Sequence, residues 1–227
     1  MAGDAKSPLT VERIVAMAIA IADNEGLEAA SMRRVAAELR SGVMSLYRHV
    51  ANHEDLVHRM CDRLAIQYGY RDHGISSWRN GLIEMSQRDW EMYIDHPWIL
   101  PITVASGPYL GPNTLANYEW ACRQMEATGL PLIEQHQIIM AVSGFVAGMA
   151  IFENNSRRAS LQPGLAPEEW AAQERGSLAR HTDLERYPLF SRVLLHPDAT
   201  NFEKFFDFGL RSLLDGVEAR VRGSDLE

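Results

Sequence analysis

Ser31-Met32-Arg33-Arg34-Val35-Ala36-Ala37-Glu38-Leu39-Arg40-Ser41-Gly42-Val43-Met44-Ser45-Leu46-Tyr47-Arg48-His49-Val50 is the stretch that decides the fold. Ser31 is a helix-capping residue, and Val35, Ala36 and Leu39 follow it at helical spacing. The period breaks at Arg40 to Gly42, then a second short helix runs through Met44, Leu46 and Tyr47. Leu46 is its natural inward residue, which leaves Met44, Ser45, Tyr47 and Arg48 to face outward. Between residues 31 and 53, Arg33, Arg34, Arg40 and Arg48 stand against Glu38 alone, a local net of +3 in a chain of formal net charge −8. The overall acidity argues against a protein that is basic throughout, but a local basic patch is enough for nucleic acid.

Outward from that stretch, nearly every strong pattern has the helical period. Thr10 caps a first helix with Val11, Ile14, Ala18 and Ile21 on one face, and Gly26 stops it. Asn52 caps a fourth helix carrying Leu56, Val57, Met60 and Leu64. Three short helices and a longer fourth, with the second and third basic, suggest a helix–turn–helix domain over residues 1–68. A larger helical domain is expected over 75–222, so the fold class is all-α. Its helices are expected from Trp78 to about Tyr93, from an Asn113 cap to near Gly129, from Pro131 to about Asn154, and from near Asp198 to about 220. Prolines 97, 101, 108 and 112 break His96–Pro112 into short helix and loop. Ser156 to Thr182 reads as a polar connector with one short helix around Glu168–Glu174.

The ordered series Thr10-Val11-Glu12-Arg13-Ile14, Asp23-Asn24-Glu25-Gly26, Ser31 to Leu39, Met44 to Val50 and Asn52-His53-Glu54-Asp55-Leu56 resembles the DNA-binding domain of the tetracycline-repressor family. Asp95-His96-Pro97-Trp98, Gly111-Pro112-Asn113 and Gly144-x-x-x-Gly148 resemble its ligand and dimerisation domain more loosely. The resemblance implies a ligand-responsive repressor that binds a palindromic double-stranded operator as a homodimer. Tyr47 would contact a phosphate, Val43, Met44 and Ser45 base edges, and Arg33 a base or phosphate. Arg34 can meet the backbone, and Arg48, His49 and His53 would sit on it. Taken singly, Tyr47 reads more readily as a core tyrosine with a wet hydroxyl, and Met44 as core. One departure is Arg40-Ser41 where the family usually has Gly-Val. An arginine at a position favouring positive φ is unfavourable by about 1 kcal/mol, and Gly42 offers the turn another shape. His53 replaces the usual lysine.

In the larger domain, Met85, Met92 and Met140 supply adaptable lining for a small, mostly apolar effector. Trp98 and Trp120, with Trp90, Tyr93 and Tyr118, supply aromatic lining, and Asp89, Thr103, Asn117 and Ser143 are candidate polar contacts. Each has a competing reading as plain core. Gly69, Met85 and Thr103 stand where the resemblance would put the ligands of a metal–tetracycline chelate, so that effector is not expected. The 131–154 and 198–220 helices are apolar on more than one face and are expected to form the dimer interface. Gly144 and Gly148 would allow a close crossing, between protomers or within one.

Cys61 and Cys122 form no C-x-x-C pair, and no Glu-x-x-His, G-x-S-x-G or phosphate loop occurs, so no metal, cofactor or enzyme activity is expected. Ile138–Phe152, at 15 residues, is short for a bilayer span, and the N-terminus has no signal-type apolar run. A cytoplasmic protein with no membrane partner is expected. Two other functions stay open, a helical ligand carrier without DNA binding and a helical-bundle enzyme.

Overall fold

The structure is a computed structural model that describes residues 8–71, 77–106, 109–160, 173, 176–177, 184–194, 196 and 198–224. Every extended element among them is helical. In order they are α1 (Val11–Glu25), a 3-10 turn (Leu27–Ala29), α2 (Met32–Glu38), α3 (Val43–Leu46), α4 (His53–Gln67), α5 (Trp78–Asp95), α6 (Ile99–Ser106), α7 (Pro112–Glu126) and α8 (Leu132–Ser160). A second 3-10 turn (Leu184–Arg186), α9 (Pro188–Leu194) and α10 (Phe202–Ser224) complete the chain. Packing divides it into two units, residues 1–139 and 140–227.

The helix starts follow the capping chemistry. Thr10 accepts from Arg13 N, Ser31 from Arg34 N and Asn52 from Asp55 N through their side chains, while Asp55 accepts from Ala51 N at 2.8 Å. Two starts differ from the sequence expectation. Pro112 opens α7 behind Gly111, because Asn113 turns its amide to Asp62 Oδ2 instead of capping. Asn201, not Asp198, accepts from Lys204 N at the start of α10, and Asp198 pairs with the Lys204 ammonium at 2.7 Å.

In the first unit α1, α2 and α3 close around Ile14, Ala18, Val35 and Leu46, all essentially inaccessible. The opposite face of α4 joins α5 and α7 through Met60, Leu64, Leu82, Met85 and Met125. Asp62 accepts from the backbone and side chain of Asn113 at 3.0 and 2.7 Å, and Asn117 donates to Ala65 O at 2.8 Å. Hydrogen bonds therefore fix α4 to α7.

In the second unit the end of α8 runs antiparallel to α10. Phe145 stacks on Phe206 and Phe152 on Phe202, with centroids 6.1 and 6.0 Å apart. Val142, Val146, Ala150, Leu210 and Leu214 fill the seam. Helix α8 has 29 residues, extending six past the expected Asn154, and by length and composition it is long and apolar enough to cross a membrane. The 15-residue run therefore understated it. Of the expected connector, Ser156–Ser160 is helix, α9 was not foreseen, and a helix around Glu168–Glu174 lies outside the described residues apart from Gln173.

Candidate functional site

Helix α2 ends in a closed turn. Ser41 N donates to Ala36 O at 2.9 Å and Arg40 N to Ala37 O at 3.0 Å, and Arg40 stands at φ 49. This is a Schellman closure with arginine where glycine is usual. The strain expected from the sequence sits on Arg40. Gly42 does not relieve it, because at φ −74 it is an ordinary extended N-cap for α3.

That turn sets α3 with Leu46 inward and 0% exposed, followed by Val50 at 1%. Met44 is 76% exposed and Tyr47 44%, so neither is a core residue. Arg33, Arg40, Arg48 and His53 are exposed around them, and Val43, Ser45 and His49 are half-buried. Arg48 donates to Ser45 Oγ at 3.0 Å, which holds its head beside the helix. Arg34, expected to meet the DNA backbone, has acidic neighbours. It pairs with Glu25 at 2.8 Å and with Glu38, so it ties α1 to α2 with its charge already engaged.

A hydrogen-bonded joint connects these helices to the ones behind them. Asp23 Oδ1, near the end of α1, accepts from Trp98 Nε1 and meets His96 Nδ1, both at 2.7 Å. Tyr68, at the end of α4, donates to Asp95 Oδ2 at 2.6 Å and lies 3.3 Å from His96 Nε2. Burial first, then the neighbouring Asp95 carboxylate, push the Tyr68 phenol well above its ordinary range. Asp95-His96-Pro97-Trp98, noted in the sequence for its resemblance alone, is this joint. Trp98, expected as aromatic lining, spends its indole N–H on α1.

The other expected lining residues separate. Met85 is fully buried core, Asn117 is committed to Ala65, Met140 is 47% exposed on α8, and Ser143 and Met92 are half-buried. Asp89, Trp120 and Thr103 are linked through tyrosines. Tyr70 donates to Asp89 Oδ1 at 3.0 Å and its ring lies 5.3 Å from that of Trp120. Tyr93 shares a hydrogen bond with Thr103 and feels the Asp89 charge. Burial pushes Asp89 up to about 7 and both phenols well above their ordinary range, because charge is poorly solvated there. Tyr70 was missed because it sits in an unpatterned stretch after α4. A separate groove of about 640 Å³ between α7 and the start of α8 is lined by Tyr118, Cys122, Leu132, Gln135 and His136, with Tyr118 Oη 2.5 Å from His136 Nδ1. Among the described residues no cluster of His, Cys, Asp and Glu suits a metal ion.

Comparison with known proteins bears on both halves of the chain. Residues 72–221 match the family model described as the tetracyclin repressor-like C-terminal domain. The HTH-type transcriptional repressor DrrR1 of Streptomyces coeruleorubidus is 35% identical over 217 residues, covering 95% of this chain and 80% of that protein. The class E tetracycline repressor protein of Escherichia coli is 23% identical, covering 94% and 92%. The crystal structure of the Streptomyces coelicolor TetR-family protein ActR in complex with actinorhodin superposes with a TM-score of 0.74 at 28% identity, covering 95% of this chain and 99% of that one.

Proposed function

The chain belongs to the tetracycline-repressor family of ligand-responsive transcriptional regulators, not to an enzyme family, and from that premise we propose that it binds a palindromic operator as a homodimer and is released by a small, mostly apolar effector. The observation that carries the DNA contact is α3, a four-residue helix with Leu46 locked inward and Met44 and Tyr47 held out. A helix so short and so presented fits the major groove. In this reading Met44, Val43 and Ser45 approach base edges, Tyr47 and Arg33 meet phosphate, and Arg48, His49 and His53 flank the backbone.

A second copy is the proposed cover for the apolar faces of α8 and α10. Met140, Gly144, Gly148 and Phe152 form an i+4 row, and a Cβ added at Gly144 or Gly148 would meet nothing within 4 Å. Their freedom from intrachain contact favours a crossing between protomers over one within the chain. Phe205 and Phe208 continue an exposed apolar surface on α10. Capping by a partner accounts for these faces without a bilayer, and a cytoplasmic location accords with a DNA target. Twofold symmetry then presents two α3 helices about one DNA turn apart, ~34–36 Å. That a relative's structure holds actinorhodin supports a small-molecule effector here.

Selection of bound fragments from random DNA tests the reading. An inverted repeat is expected, with binding lost in Tyr47→Ala and with specificity altered in Met44→Ala. Recovery of no common sequence at low salt would sink it in favour of a ligand carrier.

A further inference from the structure

The groove between α7 and the start of α8 gathers reactive side chains that neither the DNA contact nor the dimer faces use, and its volume of about 640 Å³ has room for a small molecule. Cys122 lines it half-buried, one helical turn beyond Tyr118 on the same face of α7. The Tyr118 hydroxyl hydrogen-bonds the Cys122 side chain and lies 2.5 Å from His136 Nδ1, which α8 supplies. Thiol, phenol and imidazole thus stand in one hydrogen-bonded line. Leu132 and Ile133, 72% and 62% exposed, give the groove apolar surface. Gln135, only 7% exposed, also lines it. Its Nε2 donates to Leu130 O at 2.7 Å, while its Oε1 is a buried acceptor with no partner among the described residues. A buried acceptor left unpaired is unfavourable, so this wall suits a ligand that brings a donor. The charged groups around the line are Glu119 and Arg123, paired with each other at 3.2 Å, and Glu126, all on α7. Both cysteines are free, and Cys61 is buried on α4.

We propose that Cys122 is a covalent capture site for α,β-unsaturated carbonyl compounds that carry an apolar frame and a hydroxyl group. The thiolate is the reactive form of a cysteine, and an adjacent base supplies it. The Cys122 proton passes to the Tyr118 oxygen as the Tyr118 proton passes to His136 Nδ1. The sulfur then bonds the β-carbon, and the C=C electron pair moves to the carbonyl oxygen as an enolate. The α-carbon takes the proton back along the same line, which leaves a thioether and a neutral imidazole. The addition needs no oxidant and releases no leaving group, so a line that only lends a proton is sufficient. His136 is the positioning residue, acting through the phenol. Leu132 and Ile133 hold the apolar frame, and Gln135 Oε1 takes the hydroxyl. Capture requires neither DNA nor a dimer.

The test uses the full-length protein and two probes, 4-hydroxy-2-nonenal and trans-2-nonenal, with adducts located by peptide mass mapping. Each rate is divided by the same probe's rate with glutathione. Near pH 7.5 Cys122 is expected to add the hydroxylated probe about tenfold or more faster than glutathione does, with a smaller ratio for the other probe and no adduct on Cys61. His136→Gln should slow the addition by about tenfold near pH 7.5, yet match the wild type near pH 9.5, where hydroxide supplies the thiolate without the imidazole. Tyr118→Phe keeps the ring, breaks the line at the phenol and should show the same profile. Silence of Cys61 in each variant shows that the fold is intact. A Cys122 no faster than glutathione, equal normalised rates for the two probes, or variants that are either unslowed near pH 7.5 or still slow near pH 9.5 overturn the proposal.

Discussion

At Arg40 the backbone takes φ 49, a conformation that is unfavourable for a side chain with a Cβ by roughly 1 kcal/mol. The closure around it is complete, with both backbone bonds made, so the strain is local. Arg40→Gly should stabilise the protein by about 1 kcal/mol in urea unfolding. A loss of stability would show that contacts of the arginine outweigh its backbone. Burial holds Asp89 against its preference for water. Its acid titrates at about 7 when folded and near ~3.9 when unfolded. Between those values the folded state binds the extra proton, so this group's contribution is full below the lower value and is lost as pH rises to the upper one. Asp89→Asn removes that loss. The variant should match or trail the wild type near pH 4 and exceed it at pH 8 by on the order of 2 kcal/mol. Urea melts at the two pH values check the sign, and a gap independent of pH would refute the burial account.

The elements show which side chains hold a helix and which it displays. In α3 the division is sharp, with Leu46 at 0% exposure and Met44 at 76%. Leu46→Ala should cost about 2–5 kcal/mol of stability, whereas Met44→Ala should stay within about 0.5 kcal/mol and change only DNA recognition. Denaturation and operator titration on the same two variants separate the roles. Glycines divide the same way along α8 and α10. A Cβ on Gly209 would run into the Phe145 ring, while one on Gly148 meets open space. Gly209→Ala should therefore destabilise the protomer fold by about 1–3 kcal/mol. Gly148→Leu should spare the protomer and weaken dimerisation, read by sedimentation equilibrium. If Gly148→Leu leaves a stable dimer, the crossing lies elsewhere.

Across the whole molecule, α1 to α7 pack as one unit in which Asp23, Tyr68, His96 and Trp98 join the DNA-reading helices to α5 and α6. A ligand shifts operator affinity only through unequal binding to two arrangements of such a body, and a coupling of about 1–3 kcal/mol is usual. Trp98→Phe keeps the ring and removes the donor to Asp23. Operator affinity without effector should change little, while the effector-induced loss of affinity should shrink severalfold. Linkage requires an equal shrinkage in the operator's effect on effector binding, so calorimetry with and without DNA checks it from both sides. Undiminished coupling in Trp98→Phe would remove the joint from the switch.

By itself the sequence determined what local chemistry controls. Thr10, Ser31 and Asn52 start their helices because each accepts a bond from an amide three residues on. Helical period put Ile14, Val35, Leu46 and Leu56 inside, and the ordered motifs carried the family. Tertiary structure alone decided how polar side chains are spent. Trp98 reaches Asp23 across 75 positions, Asn117 reaches Ala65 across 52 and Tyr70 reaches Asp89 across 19. No periodicity encodes those pairings. The same is true of Arg34, whose acidic partners tie α1 to α2. A side chain's type and spacing fix which face of a helix it occupies, but its hydrogen-bond partner depends on which other helix arrives at that face.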